Sequence, residues 1–112
     1  MQAAARRASE VPLACVEACV ELVGVAEALA GRSNANAASD LTVAVLLGEA
    51  AARGATANVL VNLPSIGDPA LESSLAERVT ERLAVIENLA SQTREAVGGG
   101  NRRDPIEPTE SA

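Results

Sequence analysis

The amino-acid sequence predicts an all-α protein, an antiparallel helical bundle of about three helices. Hydrophobic residues occupy 48% of the 112 positions, which is the level of a globular domain. None of them is aromatic and 24 are alanine, so the core must be built from small side chains on helices that lie close together. These residues recur at helical spacing in segments separated by glycine and proline.

The first predicted helix begins near Pro12 and ends at about Ala30. Proline favours the first helical turn, and Gly31 supplies the left-handed residue with which helices often end. Apart from one polar stripe, which includes Glu17 and Glu21, the circumference of this helix is apolar. Most of its surface is therefore expected to be buried.

The second predicted helix is capped by Ser39 or Asp40 and continues to Leu63. Pro64 ends it, because proline lacks a backbone donor and clashes with the preceding turn. Few of its residues are clearly solvated, and many are small enough to let another backbone approach closely. The sequence places this helix at the centre of the bundle.

The third predicted helix begins with Asp68 as N-cap and Pro69 in its first turn. Its aliphatic residues recur at helical spacing opposite a row of glutamates, and the glycines at 98–100 stop it. Residues 1–97 thus form the predicted helical domain. Residues 98–112 are predicted to be a disordered tail, because they contain too few apolar side chains to offset the chain entropy.

Composition excludes several classes of function. The net charge is −6 and no aromatic residue can stack on a base, so nucleic-acid binding is not expected. Histidine is absent, which removes Ser-His and Cys-His catalysis and leaves no reason to expect a metal. Cys15 and Cys19 are interpreted as free thiols packed as small hydrophobes, which suggests the cytoplasm. Glutamates interrupt the apolar runs that a signal peptide or a membrane span needs, so neither is expected.

Polar residues in this apolar setting mark the candidate site. They are Asn34, Asn36, Ser39 and Asp40, which precede or open the second helix, and Asn58 and Asn62 near its end. An unpaired buried polar group costs about 1–3 kcal/mol, so such residues require a ligand, a partner or a capping role.

Each candidate residue also has a purely structural interpretation. Ser39 and Asp40 stand where an N-cap is wanted, and the asparagines before them suit a loop. Asn58 and Asn62 lie one turn apart on one face of a helix, which fits a site or an interface, but amides near a helix end also reach terminal carbonyls.

The apolar surface of the first two predicted helices is too large for one amphipathic helix to cover. The chain is therefore expected to need more protein around it. A second copy in a helical oligomer and a segment preceding Met1 are both consistent with this expectation.

Four sequence blocks resemble the C-terminal half of the cyclodeaminase/cyclohydrolase family, which includes formiminotetrahydrofolate cyclodeaminase and methenyltetrahydrofolate cyclohydrolase. The blocks are Val11-Pro12-Leu13-Ala14-Cys15, Asn34-Ala35-Asn36 with Ser39-Asp40, Asn58-Val59-Leu60-Val61-Asn62-Leu63, and Ile66-Gly67-Asp68. Members of that family begin with a further helical half that carries a Pro-Gly-Gly-Gly segment, and nothing similar precedes Pro12. The resemblance therefore implies half of a larger cyclodeaminase-type helical domain, with the N-terminal half-domain missing.

The resemblance also implies an activity. A tetrahydrofolate derivative is the implied substrate, with Asp40 as the catalytic residue and Asn34, Asn36, Ser39, Asn58 and Asn62 as substrate-binding residues. No metal or redox cofactor is implied. The block that begins at Val11 favours the cyclohydrolase, which hydrolyses 5,10-methenyltetrahydrofolate to 10-formyltetrahydrofolate. The cyclodeaminase, an ammonia lyase, and a non-catalytic helical oligomerisation module are the alternatives.

Helix geometry separates the two groups of site residues. Asp40 and Asn58 are 18 residues apart, which corresponds to about 27 Å along an unbroken helix. One small ligand cannot contact both within one chain. An antiparallel partner helix would bring Asp40 of one copy to Asn58 of another, so the sequence favours a dimer.

Overall fold

The computed structural model describes residues 2–33, 35–100 and 102–107. Three α-helices follow one another along the chain: α1 over Gln2–Leu29, α2 over Ala38–Asn62 and α3 over Pro69–Gly98. Short 3₁₀ turns at Ala35–Ala37 and Leu63–Ser65 flank α2. The described part of the chain contains no strand, and the prediction of an all-α bundle of three helices is confirmed.

Helix α1 begins at Gln2, so the prediction of a start near Pro12 is wrong. Pro12 lies inside the helix, where it leaves the carbonyl of Ala8 without its helical donor. Ala8 is exposed, so water can solvate that carbonyl. The alanine-rich segment before it favours a helix, and an ion pair between Arg6 and Glu10 at 3.2 Å supports the same turn. Helix propensity upstream therefore outweighs the cost of an interior proline.

Helix α2 has no side-chain cap, and the prediction that Ser39 or Asp40 caps it is wrong. Ala37 occupies the N-cap position because the 3₁₀ turn runs directly into the helix, and both predicted caps lie within its first turn. The end of α2 agrees with the sequence, since the α-helix stops at Asn62 and Pro64 lies in the 3₁₀ turn that follows.

Helix α3 begins and ends as predicted. The carboxylate of Asp68 accepts a hydrogen bond from the backbone N–H of Leu71 at 3.1 Å, and Pro69 is the first helical residue. The helix extends to Gly98, and Gly99 is its C-cap. Local cap chemistry thus fixes both ends of this helix.

All three helices pack against one another around a core of aliphatic side chains. The largest fully buried hydrophobic residues are Val16, Val23, Val45, Val59, Val79 and Ile86. Gly48 on α2 packs tightly against α1, because a Cβ atom at this position would stand 2.6 Å from Cγ2 of Val23. Close packing of these two helices therefore depends on a glycine.

Replacing Gly48 with alanine is expected to destabilise the fold by about 1–3 kcal/mol, less the gain in helix propensity of up to about 1 kcal/mol. Val23 is fully buried and β-branched, so it has little freedom to move away. Gly54→Ala is the matched control, since nothing lies within 4 Å of its Cβ position, and it should stabilise the helix. Urea unfolding measures both changes, and equal effects of the two substitutions would contradict the close contact.

Residues 102–107 run beside the C-terminal end of α1. The backbone N–H of Arg103 donates to the carbonyl of Gly31 at 2.9 Å, and its guanidinium contacts the carboxylate of Glu27 at 2.8 Å. The Arg32 side chain donates a hydrogen bond to the carbonyl of Asp104 at 2.7 Å. The Arg103 guanidinium also donates to the carbonyls of Glu27 and Ala30, so Arg103 satisfies carbonyls that the end of α1 leaves open. The division into a domain over 1–97 and a disordered tail over 98–112 stays a prediction.

By length and composition alone, one helical segment among the described residues, Ala38–Ser65, is apolar enough to cross a membrane. The core helix of a soluble protein meets the same criterion. Two charged residues tie this segment to α3, because Arg53 pairs with Glu87 at 3.0 Å and Glu49 pairs with Arg94 at 3.1 Å.

Candidate functional site

Asp40 is an exposed carboxylate in the first turn of α2. Its side chain makes no ion pair or hydrogen bond with the described residues, unlike Asp68, which caps α3. The N-terminal end of a helix carries partial positive charge, so a negatively charged side chain in this turn interacts favourably with the helix. Asp40 is thus available to a ligand or to another chain.

The other predicted residues at this end of α2 surround the same turn. Ser39 is exposed beside Asp40, and Asn36 is exposed in the preceding 3₁₀ turn. Asn34 lies outside the described residues. The structure therefore brings Asn36, Ser39 and Asp40 to one end of the bundle.

A groove of about 690 Å³ lies at the other end of α2, between α2 and the N-terminal half of α1. Its lining residues are Arg7, Ala8, Val11, Pro12 and Cys15 from α1, and Ala51, Ala55, Asn58 and Asn62 from α2. The lining is mostly apolar, and its polar side chains are those of Arg7, Asn58 and Asn62. Such a groove fits a flat ligand or an apolar side chain with a polar group beside it.

The two asparagines of the groove have different hydrogen-bonding states. The Asn62 amide donates to the carbonyl of Asn58 at 2.8 Å, which is the terminal-carbonyl contact that the sequence left as an alternative. The Asn62 side-chain oxygen and the whole Asn58 side chain remain open to a ligand, and Asn58 is exposed. Both residues therefore retain binding capacity.

Arg7 is a groove residue that sequence reasoning missed. Its guanidinium has no acidic partner among the described residues, whereas the neighbouring Arg6 pairs with Glu10. The helix was predicted to start only at Pro12, so Arg7 was not placed on any helix face. A prediction that the N-terminal alanines are helical would have placed Arg7 one turn before Val11.

The two cysteines differ in exposure. Cys15 is exposed on the groove, while Cys19 is buried in the core. Burial raises the pKa of the Cys19 thiol, and the adjacent Cys15 raises it further, so Cys19 stays protonated and packs as a small hydrophobe. Both thiols are free, as the sequence predicts, but the prediction that both pack as small hydrophobes is wrong for Cys15, which is exposed. Among the described residues, no group of three or more Cys, Asp or Glu side chains could hold a metal ion.

Within one chain the two groups of predicted site residues stay apart. α2 is continuous from Ala38 to Asn62, so Asp40 and Asn58 are separated by about 27 Å along its axis. Asp40 is not among the residues that line the groove. The structure thus presents two partial sites at opposite ends of one helix.

The described residues form an all-α bundle with a polar candidate site at each end of α2, an exposed carboxylate at one end and two asparagines one helical turn apart at the other. The chain belongs to the formiminotransferase-cyclodeaminase family, whose model matches residues 1–81. It is also 38% identical over 92 residues to a methenyltetrahydrofolate cyclohydrolase of Methylorubrum extorquens. The family resemblance predicted from the four sequence blocks is confirmed.

The match to that relative covers 82% of this chain but only 41% of the relative. The chain therefore spans less than half of the length of the curated protein it matches. No solved structure matches the chain. The family match includes all six predicted site residues, because they lie between positions 34 and 62.

Proposed function

We propose that the chain acts in one-carbon folate metabolism and takes part in the hydrolysis of 5,10-methenyltetrahydrofolate to 10-formyltetrahydrofolate. The observation that supports this most is the likeness to a methenyltetrahydrofolate cyclohydrolase across the whole candidate site. The open carboxylate of Asp40 suits the chemistry, because the substrate carries a cationic amidinium. A carboxylate beside that cation stabilises it and can accept a proton from water.

The proposed reaction begins when a water oxygen bonds to the amidinium carbon and one water proton passes to Asp40. The resulting tetrahedral adduct carries a hydroxyl group. Its collapse breaks the bond from that carbon to N5, as Asp40 returns its proton to N5 and the hydroxyl proton leaves to solvent. The products are 10-formyltetrahydrofolate and one proton. The reaction is a net hydration and needs neither a metal nor a redox cofactor.

In this proposal the asparagines hold the pterin ring, which presents both donors and acceptors. Asn58 and the free oxygen of Asn62 are the groups open to it in the groove, and the apolar walls match the flat faces of the ring. Because Asp40 of the same chain lies about 27 Å from this groove, the Asp40 that meets the substrate there comes from a second copy of the chain, together with its Asn34, Asn36 and Ser39. A cytoplasmic location goes with this proposal, because folate chemistry and free thiols both suit a reducing compartment.

Two alternatives have specific support. The family's description includes a cyclodeaminase, which would close a formimino group onto N10 with loss of ammonia while Asp40 accepts the proton of the attacking amine. A non-catalytic helical oligomerisation module is supported by the large apolar side chains that α1 and α2 leave exposed, among them Val11 and Leu47. The two enzymatic reactions differ in substrate and in product.

An assay with two substrates distinguishes these functions. Loss of the methenyltetrahydrofolate absorbance reports the cyclohydrolase, and ammonia release from 5-formiminotetrahydrofolate reports the cyclodeaminase. Both are measured with the chain alone and with the remaining segment of the Methylorubrum extorquens relative supplied as a separate polypeptide. We expect the absorbance to fall faster than in buffer and no ammonia to appear. Turnover of neither substrate under either condition would contradict an enzymatic role and favour the binding module.

A further inference from the structure

The C-terminal segment 102–107 lies at the same end of the bundle as Asp40. The ion pairs between α2 and α3 show that these two helices run antiparallel, so the end of α3 at Gly98 lies where α2 begins. The turn that follows α1, residues 30–33, lies at this end as well. We call segment 102–107 the C-terminal strap and residues 30–33 the α1 turn. The two segments contact each other directly.

Arg103 connects the C-terminal strap to the α1 turn. Its backbone N–H donates to the carbonyl of Gly31 at 2.9 Å. Its guanidinium donates to the carbonyls of Glu27 at 2.9 Å and Ala30 at 3.2 Å, and it pairs with the Glu27 carboxylate at 2.8 Å. The two charged side chains are only 31% and 19% exposed, so water competes less for this ion pair than for a fully exposed one. Arg103 is therefore an anchor of the strap.

Two further arginines extend the contact over the whole α1 turn. The Arg102 guanidinium donates to the carbonyl of Ser33 at 2.6 Å, and the Arg32 side chain donates to the carbonyl of Asp104 at 2.7 Å. With the bond from Arg103 to Gly31, each residue from 31 to 33 is bonded to the strap. Gly31 has a φ of 75°, the left-handed conformation that ends α1 and turns the chain toward α2. The strap thus holds the turn that leads into α2.

The first turn of α2 lacks a support that α3 has. Its N-cap residue, Ala37, makes no side-chain hydrogen bond, whereas Asp68 caps α3 through the N–H of Leu71. A helix end without a cap leaves backbone donors unsatisfied and opens more readily. Only three residues separate Ser33, at the end of the α1 turn, from Ala37. The order of the first turn therefore depends on the chain that enters it, and the strap holds that chain in place.

We propose that Arg103 is a positioning residue, which orders the first turn of α2 by anchoring the C-terminal strap to the α1 turn and thereby fixes the position of Asp40. The effect on catalysis rests on the proposed function, whereas the ordering of the first turn does not. A general base acts only within hydrogen-bond reach of the proton that it accepts, so a loosened first turn slows the reaction. The strap lies beyond residues 1–81, which the family model matches.

Hydrogen exchange of backbone amides tests the ordering of the first turn. The N–H groups of residues 42–44 bond to the carbonyls of residues 38–40 in an α-helix that begins at Ala38, so their exchange reports the opening of this turn. We expect Arg103→Ala to accelerate their exchange about tenfold, because the side-chain bonds to α1 are lost. Glu27→Gln should accelerate it less, because the amide still accepts a hydrogen bond.

Arg78→Ala is the matched control. It removes an arginine that pairs with Glu17 and joins α3 to α1, about 30 Å along α3 from Gly98, and it should leave exchange at residues 42–44 unchanged. Circular dichroism verifies the helices of each variant, and if Arg103→Ala loses them, Glu27→Gln decides. Unchanged exchange in both strap variants, or equal acceleration in the control, would overturn the positioning role.

Kinetics of 5,10-methenyltetrahydrofolate hydrolysis test the effect on Asp40. We expect Arg103→Ala to lower kcat about tenfold and to change KM by less than about twofold, because the groove lies at the other end of α2. A raised KM with an unchanged kcat would overturn the positioning of Asp40 and indicate a role in binding. A wild-type chain without turnover would contradict the proposed function, and the exchange experiment, which needs no substrate, would still decide whether the strap orders the turn.

Discussion

Replacing Asp40 with asparagine is expected to lower the rate of methenyltetrahydrofolate hydrolysis by about 10²–10⁴-fold, which is the usual contribution of a general base. The amide keeps the size and the hydrogen-bonding capacity of the side chain but loses the charge and the ability to accept a proton. Asp40 is exposed and makes no bond to the described residues, so its replacement should not disturb the bundle. Initial rates of absorbance loss measure the effect.

Asp68→Asn is the matched control for this substitution. It makes the same chemical change in an aspartate that caps α3 through the N–H of Leu71. Asparagine is about as good an N-cap as aspartate, so both stability and rate should be retained. Equal rates for wild type and Asp40→Asn would show that Asp40 has no catalytic role and is only a surface residue of the first turn of α2.

Replacing Ile86 with alanine is expected to reduce the free energy of unfolding by about 2–5 kcal/mol. Among the described residues Ile86 is the largest fully buried side chain, and its truncation leaves a cavity in the hydrophobic core. A chain of this length has a total stability of only about 6–17 kcal/mol, so the loss is a large fraction. Urea unfolding followed by circular dichroism measures the change.

Val85→Ala provides the comparison for Ile86→Ala. Val85 is the preceding residue on the same helix and is 41% exposed, so its truncation should change stability by about 0.5 kcal/mol or less. If Ile86→Ala were as mild as Val85→Ala, α3 would not be packed against α1 and α2 as the structure has it.

The fold could be predicted from the sequence wherever local chemistry fixes the outcome. Helix α3 starts at Asp68 and Pro69, because Asp68 caps the helix and proline is tolerated in the first turn, where no backbone donor is needed. Neither effect depends on a tertiary contact. The predicted start of α1 at Pro12 is wrong, because proline favours the first turn of a helix but also occurs inside one. The cost of an interior proline depends on whether the freed carbonyl is solvated, and that exposure is a property of the folded bundle.

The candidate site could be predicted only in part. Asp40, Asn58 and Asn62 stand out in the sequence because they are polar residues in apolar segments. The groove could not be predicted, since it depends on how α1 and α2 pack side by side. Arg7 could not be predicted for the same reason. It is a candidate because it lines the groove and has no acidic partner among the described residues, and both properties depend on tertiary packing.

The claim that two copies share a folate site is tested most directly by following the absorbance of 5,10-methenyltetrahydrofolate in four samples. These contain the wild-type chain, Asp40→Asn, Asn58→Leu, and an equimolar mixture of the two variants. The wild-type chain should consume the substrate faster than buffer, and each variant alone should be slow. In the mixture, half of the dimers would combine both variants and carry one intact site each, so activity should recover to about a quarter of the wild-type rate. A wild-type rate no faster than buffer, or a mixture no faster than the two variants measured separately, would contradict a folate site shared between two copies.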